Sequence, residues 1–394
     1  MRTHRFALVV VLAGVSWVGC GDSEVSEALP VSSAGSSGAA GARASAGGGS
    51  GSSANTGGTA AAPKPDLVKV TIDSGMLVGE SAAGVNVFRG VPFAKPPVGE
   101  LRWKPPQAPD HWPGERAAVA FESPCTQPVS VDGKTANGGG VFGATSEDCL
   151  YLNVYAPSEA KKAPIMVWLH GGAFFLGAGH LGSFNGTSNA KQGVITVSIN
   201  YRLGSLGGFA HPALTKEAGS DEWLGSYALM DAVAALEWVQ RNAATFGGDP
   251  NNVTLAGQSA GAVAVMHLLS VPRAKGLFHK AVVQSGANTR PDAKFADAEK
   301  SGAETATALG LSGADATAAQ LRSVSAQSLV SAYAALRAAS TPLNSFPIDE
   351  RFKSISTIDA LNGESEFDVP LMIGANSGET GMDAARTVAK LAGD

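Results

Sequence analysis

Val253-Thr254-Leu255-Ala256 runs directly into Gly257-Gln258-Ser259-Ala260-Gly261, and a small-residue apolar stretch, Ala262 to Leu269, follows. The first run reads as a buried strand and the last as a helix, so the pentapeptide is a strand-turn-helix junction with a serine at the turn. Glycines at both ends of G-x-S-x-G let the backbone bend sharply enough to expose the serine Oγ above a sheet. With 49 glycines in the chain, a plain surface Ser-Gly turn is the competing reading of the pentapeptide alone.

The flanks argue for a large α/β domain. Leu150–Tyr155, Ile165–Leu169 and Val194–Ile199 are apolar runs rich in β-branched residues and bounded by Pro and Gly, as buried strands are. Val68–Ile72 with Leu77–Val78 reads as a short antiparallel pair, and residues 90–113 as proline-rich and irregular. Ser226–Phe246 has helical spacing, Val253–Gln258, Lys280–Gln284 and Val369–Gly374 read as strands, and 293–338 is alanine-rich and helical with a break near Gly310–Gly313. Strands alternating with helices predict a largely parallel sheet covered on both faces.

Composition narrows the function classes. The 394 residues are 44% hydrophobic and 16% charged, which is globular. A net charge of -5 with no basic stripe argues against a nucleic-acid partner. Residues 1–20 read as an export signal, with Arg2, His4 and Arg5 before an apolar run from Phe6 to Val18 that is too short to span a bilayer comfortably. Val18-Gly19-Cys20 resembles a bacterial lipobox, with Trp17 where leucine is usual, so Cys20 is the expected lipidation site and the membrane an expected partner. Ordinary cleavage, leaving a secreted protein with a free cysteine, is the alternative. Residues 21–65 read as a disordered tether; within them 32–62 hold no aromatic residue and no Leu, Ile or Val. Such a segment cannot offset its ordering entropy, and it should reach about 30 Å as a flexible coil. The remaining 66–394 form the folded domain. Cys125 and Cys149 are an even pair in an exported chain and suggest a disulfide, with two buried thiols as the alternative. No cofactor or metal is implied.

Two further stretches carry chemistry. Leu169-His170-Gly171-Gly172-Ala173-Phe174 puts a glycine-rich turn at a strand end, where backbone N–H groups can stabilise an oxyanion. A loop that merely needs positive φ is the plainer reading. His170 precedes the serine and adjoins this loop, so it reads as structural. Glu379 follows the strand Val369–Gly374, and acids at strand ends face the same cleft as a nucleophile. By itself it reads as a solvated loop residue.

Taken together these stretches resemble the type-B carboxylesterases, the carboxylesterase and cholinesterase family. Phe246-Gly247-Gly248-Asp249-Pro250 through Gly261 matches the family's serine signature, and Glu147-Asp148-Cys149-Leu150-Tyr151-Leu152-Asn153-Val154 its second signature. Phe88-Arg89-Gly90-Val91-Pro92-Phe93-Ala94, Asn200-Tyr201-Arg202-Leu203-Gly204 and Gln284-Ser285-Gly286 match as well. The resemblance implies an α/β-hydrolase fold, a mostly parallel central sheet with helices on both faces. It implies Ser259 as nucleophile, Gly172, Ala173 and Ala260 as oxyanion donors, Glu379 as the acid of the triad, and a Cys125–Cys149 disulfide.

Three departures bear on substrate and activity. Gln258 stands where the family often has glutamate. Gapless counting from Cys149 to the position of the cholinesterase cation-binding tryptophan reaches Gly139, so neutral carboxylic esters are expected rather than choline esters. The family's histidine follows the acid, beyond a further strand and helix. All seven histidines here precede Glu379, and 15 residues follow it (394 − 379). The sequence therefore reads as lacking the triad histidine with the C-terminal strand and helix, as a fragment of a serine esterase would. The alternatives are a non-catalytic, cholinesterase-like surface or binding protein, or another hydrolase on the same fold.

Overall fold

The computed structural model describes residues 65–129, 143–286, 292–338, 346–363 and 365–376. Cys20, the tether, Gly139 and Glu379 lie outside the described residues. The strands are β1 (Asp66–Ile72), β2 (Gly75–Ala82), β3 (Val85–Pro92), β4 (Glu115–Ala117), β5 (Tyr151–Pro157), β6 (Ala163–Leu169), β7 (Ile195–Ile199), β8 (Gly248–Gln258), β9 (Lys280–Gln284) and β10 (Leu371–Gly374). The α-helices are α1 (Thr187–Lys191), α2 (Gly204–Gly207), α3 (Pro212–Glu217), α4 (Tyr227–Asn242), α5 (Ala260–Leu268), α6 (Phe295–Ala308), α7 (Ala318–Ser323), α8 (Ala326–Ala338) and α9 (Thr357–Asn362).

The strands form one sheet in the order β1-β2-β3-β5-β7-β6-β8-β9-β10, with β4 beside β2. The run β7-β6-β8-β9-β10 is parallel, and β1, β2, β3 and β5 join it through antiparallel pairs. Every residue of β7 is buried. A strand buried on both faces reads as a continuous apolar run, and that is how the sequence reads there. The longest helix, α4, connects β7 to β8 and is buried almost all round, Trp238 and Leu236 included. Its last turn tightens into a 3-10 segment, Ala243–Phe246, which stops at Gly247 in the left-handed region.

The expected α/β-hydrolase architecture is present, with three local differences. β3 was not anticipated, because a bulge between Phe88 and Val91 breaks its alternation before Pro92 ends it. At the bulge the Gly90 N–H leaves the ladder and donates to Asn153 Oδ1 (3.0 Å). The alanine-rich region resolves into α6, α7 and α8, and α7 opens on a capping box between Thr317 and Gln320. Helix α9 was also unforeseen; Ser356 caps it by accepting from the Asp359 N–H.

Candidate active site

Four parallel strands end at one level. Leu169 of β6 pairs with Gly257 of β8, Gln258 of β8 with Gln284 of β9, and Gln284 with Gly374 of β10. Parallel pairing in register therefore carries the loop after Leu169, Ser259, Ser285-Gly286 and the segment after Gly374 to the same edge of the sheet. In open α/β sheets that carboxyl-end edge is where ligands bind.

Ser259 sits at φ 53, ψ -120 between β8 and α5. A non-glycine residue rarely holds such a conformation, and it persists only where the surroundings fix it. The Ser259 N–H donates to Gln284 O (2.8 Å), and Ser259 O accepts from the Val263 N–H (2.9 Å). The tightness of the turn explains its glycines. A Cβ on Gly261 would lie 2.0 Å from Leu169 O, and one on Gly257 would lie 2.4 Å from the Gly261 carbonyl carbon.

The glycine-rich loop after β6 lies against this turn. A Cβ on Gly171 would come within 2.6 Å of Gln258 Oε1 and 3.2 Å of Ser259 Cβ. Gly172 has φ 111, and Ala173 and Phe174 both have φ 56. Gly172 O accepts from the Phe175 and Leu176 N–H groups (2.9 Å each), which curls the loop into a tight hook. Ala260 opens α5, where backbone N–H groups are not consumed by the helix itself. Of the residues expected to donate to an oxyanion, Ala260 directly follows Ser259, and Gly172 and Ala173 follow Gly171, which packs on the Ser259 turn.

Histidine positions matter for the choice of base. His170 is buried, its ring stacks on Tyr201 (4.2 Å between centroids), and its Nδ1 lies 2.7 Å from Gly171 O. Burial lowers its pKa to about 4, against a smaller opposing pull from the Gly171 carbonyl. Tyr201 donates its hydroxyl to His170 O (2.5 Å). His170 thereby braces the loop as a neutral group. Among the described residues no histidine ring is hydrogen-bonded to Ser259. Glu379 falls beyond Asn376 and outside the described residues, so its side chain is not placed.

Some supports were not foreseen. Gln127, two residues past Cys125, holds the far end of the hook: its Nε2 donates to Gly177 O (2.7 Å) and its Oε1 accepts from the Gly177 N–H (2.9 Å). Cys125 and Cys149 are joined as a disulfide (S–S 2.05 Å), which ties the segment carrying Gln127 to the residues just before β5. Arg202 and Asp231 form a buried bidentate pair (2.7 and 2.8 Å) beneath the 200–204 turn. A glutamine beside a cysteine was the only hint of the first support; the pattern does not reveal which buried carbonyl it reaches.

Residues 66–393 match the profile of the carboxylesterase family. The chain belongs to that family. It is 42% identical over 247 residues to the fumonisin B1 esterase of Sphingopyxis macrogoltabida, covering 62% of this chain and 44% of that one. It is 47% identical over 221 residues to the para-nitrobenzyl esterase of Bacillus subtilis strain 168, covering 56% and 44%. In three dimensions it is similar to a PNB esterase structure, with TM-score 0.70 and 36% identity over 79% of this chain and 63% of that one. A carboxylesterase of Geobacillus stearothermophilus gives TM-score 0.69 and 36% identity over 81% and 63%. The aligned part spans less than half the length of these two curated relatives.

Proposed function

We propose that this chain carries the nucleophile, oxyanion loop and acid of a serine carboxylic-ester hydrolase, acting through an acyl-enzyme on Ser259 and on neutral esters. The observation that supports this reading most is Ser259 in a strained turn at the end of β8 with the Gly171–Gly172 hook packed on it. Ser259 Oγ attacks the ester carbonyl carbon, and a neutral histidine takes its proton. The N–H groups of Gly172, Ala173 and Ala260 receive the oxyanion. Collapse breaks the C–O bond to the alcohol, which leaves with the histidine's proton, and water then cleaves the acyl-serine by the same route. Glu379 orients the histidine and stabilises its charged form.

No histidine follows Glu379 in residues 1–394, and His170 and His267 are buried on other duties. On this reading the triad base is none of the seven histidines of residues 1–394. Triad members act as a unit, so residues 1–394 alone should hydrolyse short p-nitrophenyl esters near the background rate. A form extended as the relatives are should turn over, and Ser259→Ala should abolish that turnover. Wild-type rates retained by Ser259→Ala in the extended form would sink the reading. Inactivity of the extended form with intact fold would favour the surface-binding alternative, which the missing histidine alone supports here.

We also propose that the domain is exported and held at a membrane through lipidated Cys20, on the evidence of Val18-Gly19-Cys20 and the Ser/Gly/Ala-rich stretch behind it. One acyl chain anchors weakly, so retention needs the several chains of a bacterial lipoprotein. Cys20→Ser should move the protein from the detergent phase to the aqueous phase. Unchanged partitioning counts against the anchor.

A further inference from the structure

Ala173 and Phe174 are consecutive non-glycine residues with φ 56. A left-handed pair of this kind relaxes unless its neighbours prevent it. Ala173 O accepts from Arg337 Nη1 (3.4 Å), and Phe174 is held on both its carbonyl and its ring. The Phe174 carbonyl accepts from the Gly204 N–H (2.7 Å), and its buried ring meets Tyr201 (6.1 Å) and the edge of Phe346 (4.7 Å, 85°). Tyr201 belongs to the site already described. Phe346 comes from a distant part of the chain, and its ring also meets His267 edge-on (5.2 Å, 80°). His267 projects from the last turn of α5, the helix that begins after Ser259.

What fixes His267 and Phe346 is a buried ionic cluster. Lys353 Nζ lies 2.9 Å from His267 Nδ1, and Thr357 Oγ1 lies 2.6 Å from the same nitrogen. An ammonium only donates, so Nδ1 accepts, the ring proton is on Nε2, and His267 is neutral. Lys353 is fully buried and paired with Asp292, which also accepts from the Thr357 N–H (2.6 Å). Between Phe346 and Lys353 the chain is tied to Asp349, whose Oδ1 accepts from the Phe352 and Lys353 N–H groups (3.0 and 2.8 Å). A buried ion pair adds little stability over apolar residues of the same volume. It does fix position, because both charges must keep their partners.

We propose that Phe346 is a positioning residue for the oxyanion loop, held against Phe174 by the Lys353–Asp292 pair seated on His267. The catalytic meaning of the restraint rests on the esterase reading above; the restraint itself does not. Hydrogen exchange on the 394-residue chain separates the two. The Phe175 and Leu176 amides, both bonded to Gly172 O, should exchange at least tenfold faster in Phe346→Ala. The same should hold in the double variant Lys353→Met with Asp292→Asn, which leaves no lone charge, while amides of β6 and α4 keep their parent rates. Phe346→Leu, which preserves most of the apolar volume, should shift the loop amides in the same direction by a smaller factor. Loop rates equal to the parent in these variants overturn the proposal, and so does equal acceleration across the whole domain. In an extended, active form, Phe346→Ala should lower kcat tenfold or more at a KM within twofold of the parent; a change confined to KM also overturns it. If Ser259→Ala leaves turnover intact while the loop amides still respond to Phe346, the esterase reading fails and the restraint stands.

Discussion

Asp231 shows how one side chain can outweigh many. Its carboxylate is wholly buried and takes three donors from Arg202: the backbone N–H (3.0 Å), Nε (2.8 Å) and Nη2 (2.7 Å). Removing one partner leaves a guanidinium buried without its counter-charge, a loss of about 3–5 kcal/mol. Asp231→Ala should therefore lower the urea midpoint sharply at an unchanged m-value. A drop under about 1 kcal/mol, the range of exposed pairs, contradicts this. His170 makes a prediction in pH. Its folded pKa is about 4, below the roughly 6.5 of an unfolded histidine. As pH falls, the unfolded chain takes the proton first, so its contribution is complete above about 6.5 and is lost progressively toward pH 4. The loss is at most about 3 kcal/mol, and His267, lowered to about 3 by burial and by Lys353 beside it, adds to it with the same sign. His170→Gln should narrow the stability gap between pH 7.5 and pH 4.5; an unchanged gap excludes His170 as a source.

At the scale of elements, the disulfide closes a loop with a sequence separation of 24 residues, which the chain-entropy model values at about 3 kcal/mol. Cys125→Ser with Cys149→Ser should lose stability of that order, and because Gln127 sits just past Cys125, the Gly177 amide should lose protection with it. Full protection of Gly177 in that variant would separate the crosslink from the hook. How far these elements could be read in the sequence depended on whether a single local pattern carries them. β6 and β7 are short apolar runs and β8 ends in one, with β6 and β8 running into glycine-bearing turns, so both periodicity and punctuation point to them. β3 was hidden because its bulge disrupts the alternation. The Phe346–Lys353 segment was hidden for another reason: a lysine between Phe352 and Ser354 reads as solvated, and only tertiary structure brings Asp292 and His267 to it. Ser259, Gly172, Ala173 and Ala260 were singled out through the family resemblance; of the loop after β6 it is Gly171 that packs on the Ser259 turn. Glu379 was read as the acid from the resemblance and lies outside the described residues, which reach the strand before it, β10.

For the molecule as a whole, residues 32–62 hold no aromatic residue and no Leu, Ile or Val and are expected not to join a core. Deleting 32–62 should leave the thermal midpoint of the domain unchanged, as measured by calorimetry; a large drop would mean that the stretch packs on the domain. Within the domain, the Ser259 turn and the hook after β6 are set by one backbone ladder, Ile165 through Leu169 against Val253 through Gly257. This has an evolutionary consequence. A single-residue insertion in β6 would shift the hook by one pleat and turn every side chain of the strand to the opposite face. Length changes are therefore closed to β6 and β8, and new specificities have to be sought in the helical segments and loops laid over the sheet, where an insertion leaves the spacing between Ser259 and the hook unaltered.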